Sequence, residues 1–89
     1  MNDEEREILQ VASVIGHKVD ISLLSMLLEV SKIKILKTLQ RVEQDLQIIY
    51  STEKGYQFEH PMLREMLYRE IPTILRQEYH LMIAEELAK

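Results

Sequence analysis

Hydrophobic positions recur along the first half of the chain with the spacing of three amphipathic helices. The first helix begins with a capping residue at position 2 or 3 and ends near Gly16, which suits a helix C-terminus. Asp20 begins the second helix, and Ser31 caps the third, which runs from Lys32 to about Asp45. A tight turn joins the second and third helices. The residues predicted to face the core are Ile8, Val11, Ala12 and Ile15, then Leu23, Leu24, Leu27 and Leu28, and then Ile35, Leu36, Leu39, Val42 and Leu46.

After the third helix the pattern changes to that of a β-hairpin. Residues 48–50 are β-branched or aromatic, and residues 56–59 alternate aromatic with polar side chains. Residues 53–55, Glu-Lys-Gly, join the two arms, and glycine supplies the positive φ that such turns need. We therefore predict a two-stranded wing over residues 47–60, and a short extended link at residues 17–19.

Two helices follow the predicted wing. Pro61 stands at the first position of a fourth helix, where its missing N–H costs nothing, and Pro72 separates this helix from a last one that begins near Thr73. The buried stripe of the fourth helix is predicted to be Leu63, Met66, Leu67 and Ile71. The last helix has one apolar stripe at Leu75, Tyr79, Met82, Ile83 and Leu87, and a second at Ile74, Leu81, Ala84 and Ala88. One stripe can reach the core, so the other predicts a surface that packs on a partner or on a second copy of the chain.

Three helices, a wing and two trailing helices are the order of a winged helix-turn-helix domain. We predict a mainly α fold with a small β-hairpin, in which residues 1–72 form the winged-helix domain and residues 73–89 a C-terminal helix. The length of 89 residues and the 46% hydrophobic and 29% charged content fit one folded domain. The longest uncharged apolar run, Ile21–Leu28, is too short for a membrane span, and the acidic start is unlike a secretory signal. We expect a cytoplasmic chain that does not contact membranes.

The third helix carries a local excess of positive charge in a chain whose net charge is −4. A net negative charge disfavours a dedicated nucleic-acid binder, although it can hide a basic face. Lysine and arginine on a solvated helix face are the commoner explanation. A DNA-binding recognition helix with a basic wing tip is the alternative, and its candidate contacts are Lys32, Lys34, Lys37, Thr38, Arg41 and Lys54.

The chain lacks the residue patterns of metal sites and of enzymes. His17, His60 and His80 lie on three different predicted elements, and there is no cysteine. A glycine-rich phosphate loop and a GxSxG turn are also missing. We predict no catalytic residue, no metal and no cofactor within these 89 residues.

Residues 56–68, YQFEHPMLREMLY, followed by Glu-Ile-Pro at 70–72, resemble the winged-helix domain that follows the nucleotide-binding core of STAND-type signalling ATPases. That family includes bacterial regulators, apoptotic activators and plant disease-resistance proteins. In it a strand ends in a histidine and runs into a helix that reads roughly His-x-x-x-Arg-Glu-x-Leu-Tyr. Residues 9–20 resemble the start of the same domain, so the resemblance covers nearly the whole chain. The matching motif residues here are His60, Arg64, Glu65, Leu67 and Tyr68.

The resemblance implies a regulatory domain excised from a larger ATPase. Its partners would be the nucleotide-binding domain and helical repeats of the parent, which binds ADP and ATP. In the family, the histidine that aligns with His60 contacts the ADP phosphates, which implies the same role for His60 in the parent protein. The alternative is a structural role, in which its imidazole caps the fourth helix or forms a hydrogen bond with the wing. Pro61 stands where plant and apoptotic members have Asp, and Lys32, Lys34 and Lys37 stand in a helix that is often acidic in bacterial members. The two other hypotheses are a DNA-binding regulator and a homodimer formed through the last helix.

Overall fold

Five helices and three short strands follow one another in the order of a winged helix-turn-helix domain with two trailing helices. The computed structural model describes residues 1–89. The predicted fold class, mainly α with a small hairpin, is confirmed. The elements are α1 (Asp3–Ile15), β1 (Lys18–Val19), α2 (Ile21–Leu28), α3 (Lys32–Leu46), β2 (Ile49–Thr52), β3 (Gly55–Phe58), α4 (Pro61–Glu70) and α5 (Thr73–Leu87).

The first three helices begin at the residues that the sequence predicts. The Asn2 Oδ1 accepts the Glu5 N–H at 2.7 Å, while the Glu5 carboxylate accepts the Asn2 N–H at 3.0 Å. Asp20 and Ser31 each accept the backbone N–H three residues on, at 3.1 and 3.2 Å. These bonds satisfy N–H groups that a helix start leaves unpaired, and each contributes about 1 kcal/mol.

The sheet has a third strand that the sequence does not reveal. In β1, Lys18 pairs with Gln57 and Val19 with Tyr56, so the antiparallel order is β1-β3-β2. The link is extended, as predicted, but it also pairs with the wing, so the sheet has one strand more than the predicted two. A strand of two residues is too short to show a period of two. Between β2 and β3 only residues 53–54 form the turn, and Gly55, at φ 136°, already pairs with Thr52.

The core lies between α1, α2, α3, α4 and the inner face of the sheet. Phe58 of β3 is completely buried at its centre, which confirms the inward face of the second wing strand. Thirteen buried residues form this cluster: Ile8, Leu9, Val11, Ala12, Val19, Leu24, Leu27, Ile35, Leu39, Val42, Ile49, Phe58 and Leu67.

Several residues predicted to be buried are exposed. Leu36 is 38% exposed because it lies about 100° around the helix from Ile35, outside the arc that faces the core. Met66 is 57% exposed, since α4 packs on α1 and β3 and nothing covers its outer side. Leu23 and Leu28 are only half-buried. A domain of this size has no second layer to cover outer helix faces.

Helix α5 packs on α1 and α2 with only the middle of its predicted inner stripe. Tyr79, Met82 and Ile83 contact the core cluster, whereas Leu75 and Leu87 are exposed, contrary to the prediction. The second stripe lies on the opposite side of the helix and is exposed along its whole length, as predicted.

Candidate functional site

His60 lies at the junction between the wing and α4. Its backbone is extended, as expected before Pro61, and its carbonyl accepts the N–H of Leu63 at 3.1 Å as α4 begins. The imidazole is exposed and makes no hydrogen bond with any part of the domain. Capping of α4 by the imidazole, or a bond to the wing, is therefore not observed.

Arg64 and Leu67 of the motif have roles within the fold. The Arg64 Nε donates to the backbone carbonyl of Ser13 at 2.9 Å, which joins the middle of α4 to the last turn of α1. Leu67, one turn further along α4, is buried in the core cluster. Both residues fix α4 against the winged-helix body, so they set the position of the helix that His60 precedes.

The remaining motif residues contact α5 or stay on the surface of α4. The Tyr68 hydroxyl lies 2.8 Å from His80 Nε2, and the two rings meet edge to face at 5.8 Å between centroids. The Arg76 guanidinium stacks over the Tyr68 ring at 4.8 Å. Glu65 pairs with Arg69 on the exposed side. Tyr68 therefore ties α5 to α4 across the Pro72 turn, and His60 is the only motif residue without a partner in the fold.

The basic residues of α3 are exposed, but Thr38 is not among them. Thr38 is buried and its hydroxyl donates to the Lys34 carbonyl at 2.9 Å, so its predicted place on the outer face of α3 is wrong. Its position, three residues after Ile35, is a core position, and only its polarity suggested otherwise. Lys34, Lys37 and Arg41 form one basic stripe along α3, and Lys34 also pairs with Glu4 at 3.4 Å.

The basic stripe and the wing lie on opposite sides of α3. Glu43 accepts the outward-facing N–H of Ser51 in β2 at 2.6 Å, so its side of α3 faces the wing. Lys34 precedes Glu43 by nine residues, about two and a half helical turns, and therefore lies on the far side. Lys54 follows Glu53 in the wing turn, and the hollow that it lines contains Lys18 but no residue of α3.

Glu43 is a residue with a structural role that the sequence did not single out. Besides capping the edge of β2, its negative charge adds to burial in raising the pKa of Tyr56. Burial, and then the charge of Glu7, likewise raises the pKa of Tyr79. A carboxylate at the helix–wing contact also opposes the approach of DNA phosphates to this groove.

The hollow at the wing contains two further cations and one carboxylate. Its volume is about 410 Å³, and its lining includes Lys18, Thr52, Glu53, Lys54 and Tyr56. No three histidine or acidic side chains come together in a way that could hold a metal ion. None of the five helices combines the length and the apolar character needed to cross a membrane.

Comparison with known protein families, with curated proteins and with solved structures found no match to this chain. The assignment of function therefore depends on the residues themselves and on where the fold places them.

Proposed function

We propose that this chain is a non-catalytic regulatory domain of a STAND-type signalling ATPase that acts in the cytoplasm. In this proposal it couples the nucleotide state of an adjoining ATP- or ADP-binding domain to downstream helical repeats through protein–protein contacts. One observation carries the proposal. Of the five residues of the His-x-x-x-Arg-Glu-x-Leu-Tyr motif, four are engaged within the domain and His60 alone presents an unpartnered side chain.

The surroundings of His60 suit contact with an anion supplied by another domain. The imidazole can donate a hydrogen bond, and the positive end of the α4 dipole lies directly behind it. This domain offers one imidazole and no glycine-rich loop, so the other contacts to a nucleotide must come from the adjoining domain. We therefore expect the 89-residue chain to bind no nucleotide by itself.

The energetic consequence can be measured in the longer protein that the proposal requires. A hydrogen bond to a charged phosphate contributes about 1.5–3 kcal/mol, which corresponds to roughly tenfold to 150-fold in ADP affinity. His60→Ala should weaken ADP binding by that factor and favour the ATP-bound, active state. His17→Ala is the matched control, because His17 is also exposed but precedes β1.

The isolated domain supplies the second readout. Because the His60 side chain has no partner in the fold, His60→Ala should change the free energy of unfolding by no more than about 0.5 kcal/mol. If the substitution unfolds the domain and leaves ADP affinity intact in the longer protein, His60 is structural. A gene that encodes no P-loop upstream of residue 1 would also refute the proposal.

DNA binding through α3 remains the alternative hypothesis, but the geometry favours it less. Thr38 is buried, Lys34 has a carboxylate partner, and the basic stripe lies away from the wing. Only Lys32, Lys37 and Arg41 remain as unpaired cations on that helix.

A further inference from the structure

The outer face of α5 has the residue spacing of a helix–helix interface, yet nothing in the chain covers it. Successive positions on this face are three and then four residues apart, which is the repeat of a coiled-coil seam. Ile74 is 77% exposed and Leu81 is 53% exposed. We call this face the outer seam; its residues are Ile74, Gln77, Leu81, Ala84 and Ala88.

The outer seam has an acidic border. Glu78 and Glu85 lie next to it on one flank, four residues after Ile74 and Leu81, and neither belongs to an ion pair of the domain. Nearby cations are engaged elsewhere, since Arg76 of α5 stacks on Tyr68, and Lys89, just after the helix, pairs with Glu86. The face therefore combines apolar contact area with two unpaired negative charges.

A second copy of the chain is a poor occupant of this face. In an antiparallel pair of α5 helices the same flanks meet, which brings Glu78 and Glu85 against their own copies. A parallel pair places Ala84 against Ala84 and Gln77 against Gln77, which leaves voids and a polar layer. Within the outer seam itself each copy would offer only two large aliphatic side chains, Ile74 and Leu81, far short of the roughly 800 Å² per partner of a stable interface.

We propose that the outer seam binds a basic amphipathic helix of another protein or module. Large aliphatic residues of that helix would fill the space above Ala84 and Ala88, where the small side chains leave room for knobs. Lysine or arginine residues beside its apolar stripe would pair with Glu78 and Glu85. This proposal concerns a different surface from His60 and stands independently of the proposed function.

The test uses a synthetic helix of known chemistry as the probe. The peptide has about 21 residues, three heptads, with leucine at the a and d positions and lysine at all e and g positions, which suppresses its self-association. A second peptide carries glutamate in place of the lysines. Binding of each labelled peptide to the 89-residue chain is followed by fluorescence anisotropy at two salt concentrations.

The decisive variant is Leu81→Asp, since it removes apolar surface and makes the face more acidic. If the outer seam is the site, the lysine peptide binds and the variant loses about tenfold or more in affinity. If charge alone attracts the peptide, the same variant binds it more tightly, and the proposal is overturned. Ile74→Asp is the second variant, so that a folding defect in either one does not decide the result.

The controls separate this face from other surfaces and other occupants. Glu78→Gln with Glu85→Gln should weaken binding and reduce its salt dependence, while Ile33→Asp on α3, equally exposed but distant in the fold, should leave affinity unchanged. The glutamate peptide should not bind. Failure of the lysine peptide to bind, or sedimentation showing a dimer that Leu81→Asp dissociates, would overturn the proposal.

Discussion

Replacing Arg64 tests how α4 is held on the winged-helix body. The Ser13 carbonyl belongs to the last turn of α1, where backbone oxygens lack a partner within the helix, and Ser13 is completely buried. The Arg64 Nε donates to that oxygen at 2.9 Å. Because α1 has no basic residue in its own last turn, Arg64 also supplies the positive charge that the negative end of its dipole favours.

The magnitude follows from these two contributions. Arg64→Met keeps most of the apolar stem but leaves a buried carbonyl unpaired, which costs about 1.5–3 kcal/mol for a bond to a charged group. Loss of the favourable dipole interaction adds about 0.3–1 kcal/mol. We expect a total of about 2–4 kcal/mol, which is a large part of the roughly 4–13 kcal/mol of a domain this size.

Chemical denaturation followed by circular dichroism measures this loss. The matched control is Arg69→Met on the same helix. Arg69 is 74% exposed and pairs only with Glu65, so this substitution should lower the free energy of unfolding by only about 0.3–0.5 kcal/mol. The loss of stability caused by Arg64→Lys should lie between those of the two methionine variants, because lysine retains the charge but lacks the planar guanidinium donor. Equal losses for Arg64→Met and Arg69→Met would show that the bond to Ser13 contributes nothing.

Three further predictions concern charge. Glu43→Gln should lower the pKa of Tyr56, although burial should still keep it above the usual value. An NMR titration with isotope-labelled tyrosine measures this pKa. An unchanged pKa would refute the interaction between Glu43 and Tyr56. Since the pKa values of Tyr56 and Tyr79 are raised above 10.0 in the fold, the contribution of these two groups to stability should be fully present below pH 10.0 and be lost as pH rises through the folded values. Duplex DNA should bind weakly. Several phosphate contacts would give a slope of log affinity against log salt concentration of about −0.9 per contact, and we expect a much shallower slope. Submicromolar affinity at physiological salt that Lys37→Glu abolishes would instead support the DNA-binding hypothesis.

The errors of the sequence-based prediction share one cause, which is the dependence of burial on non-local neighbours. Leu36 and Met66 are apolar at helical spacing, yet no other element covers them. Thr38 is polar and buried because its hydroxyl finds a carbonyl one turn back. The pairing of β1 with β3 joins residues far apart in the chain, and a two-residue strand carries no periodicity by which to find it.

The sequence by itself determined the order of the five helices and the wing hairpin, the starts of the first three helices, the inward face of β3 and the motif that ends in Tyr68. These features depend on residues within about four positions of one another, so local spacing and capping chemistry specify them. Only the tertiary structure decided that Arg64 and Tyr68 are engaged in the fold while His60 is free. It also decided that the basic stripe faces away from the wing. Those properties depend on which elements meet across the chain, and packing rather than local pattern selects those contacts.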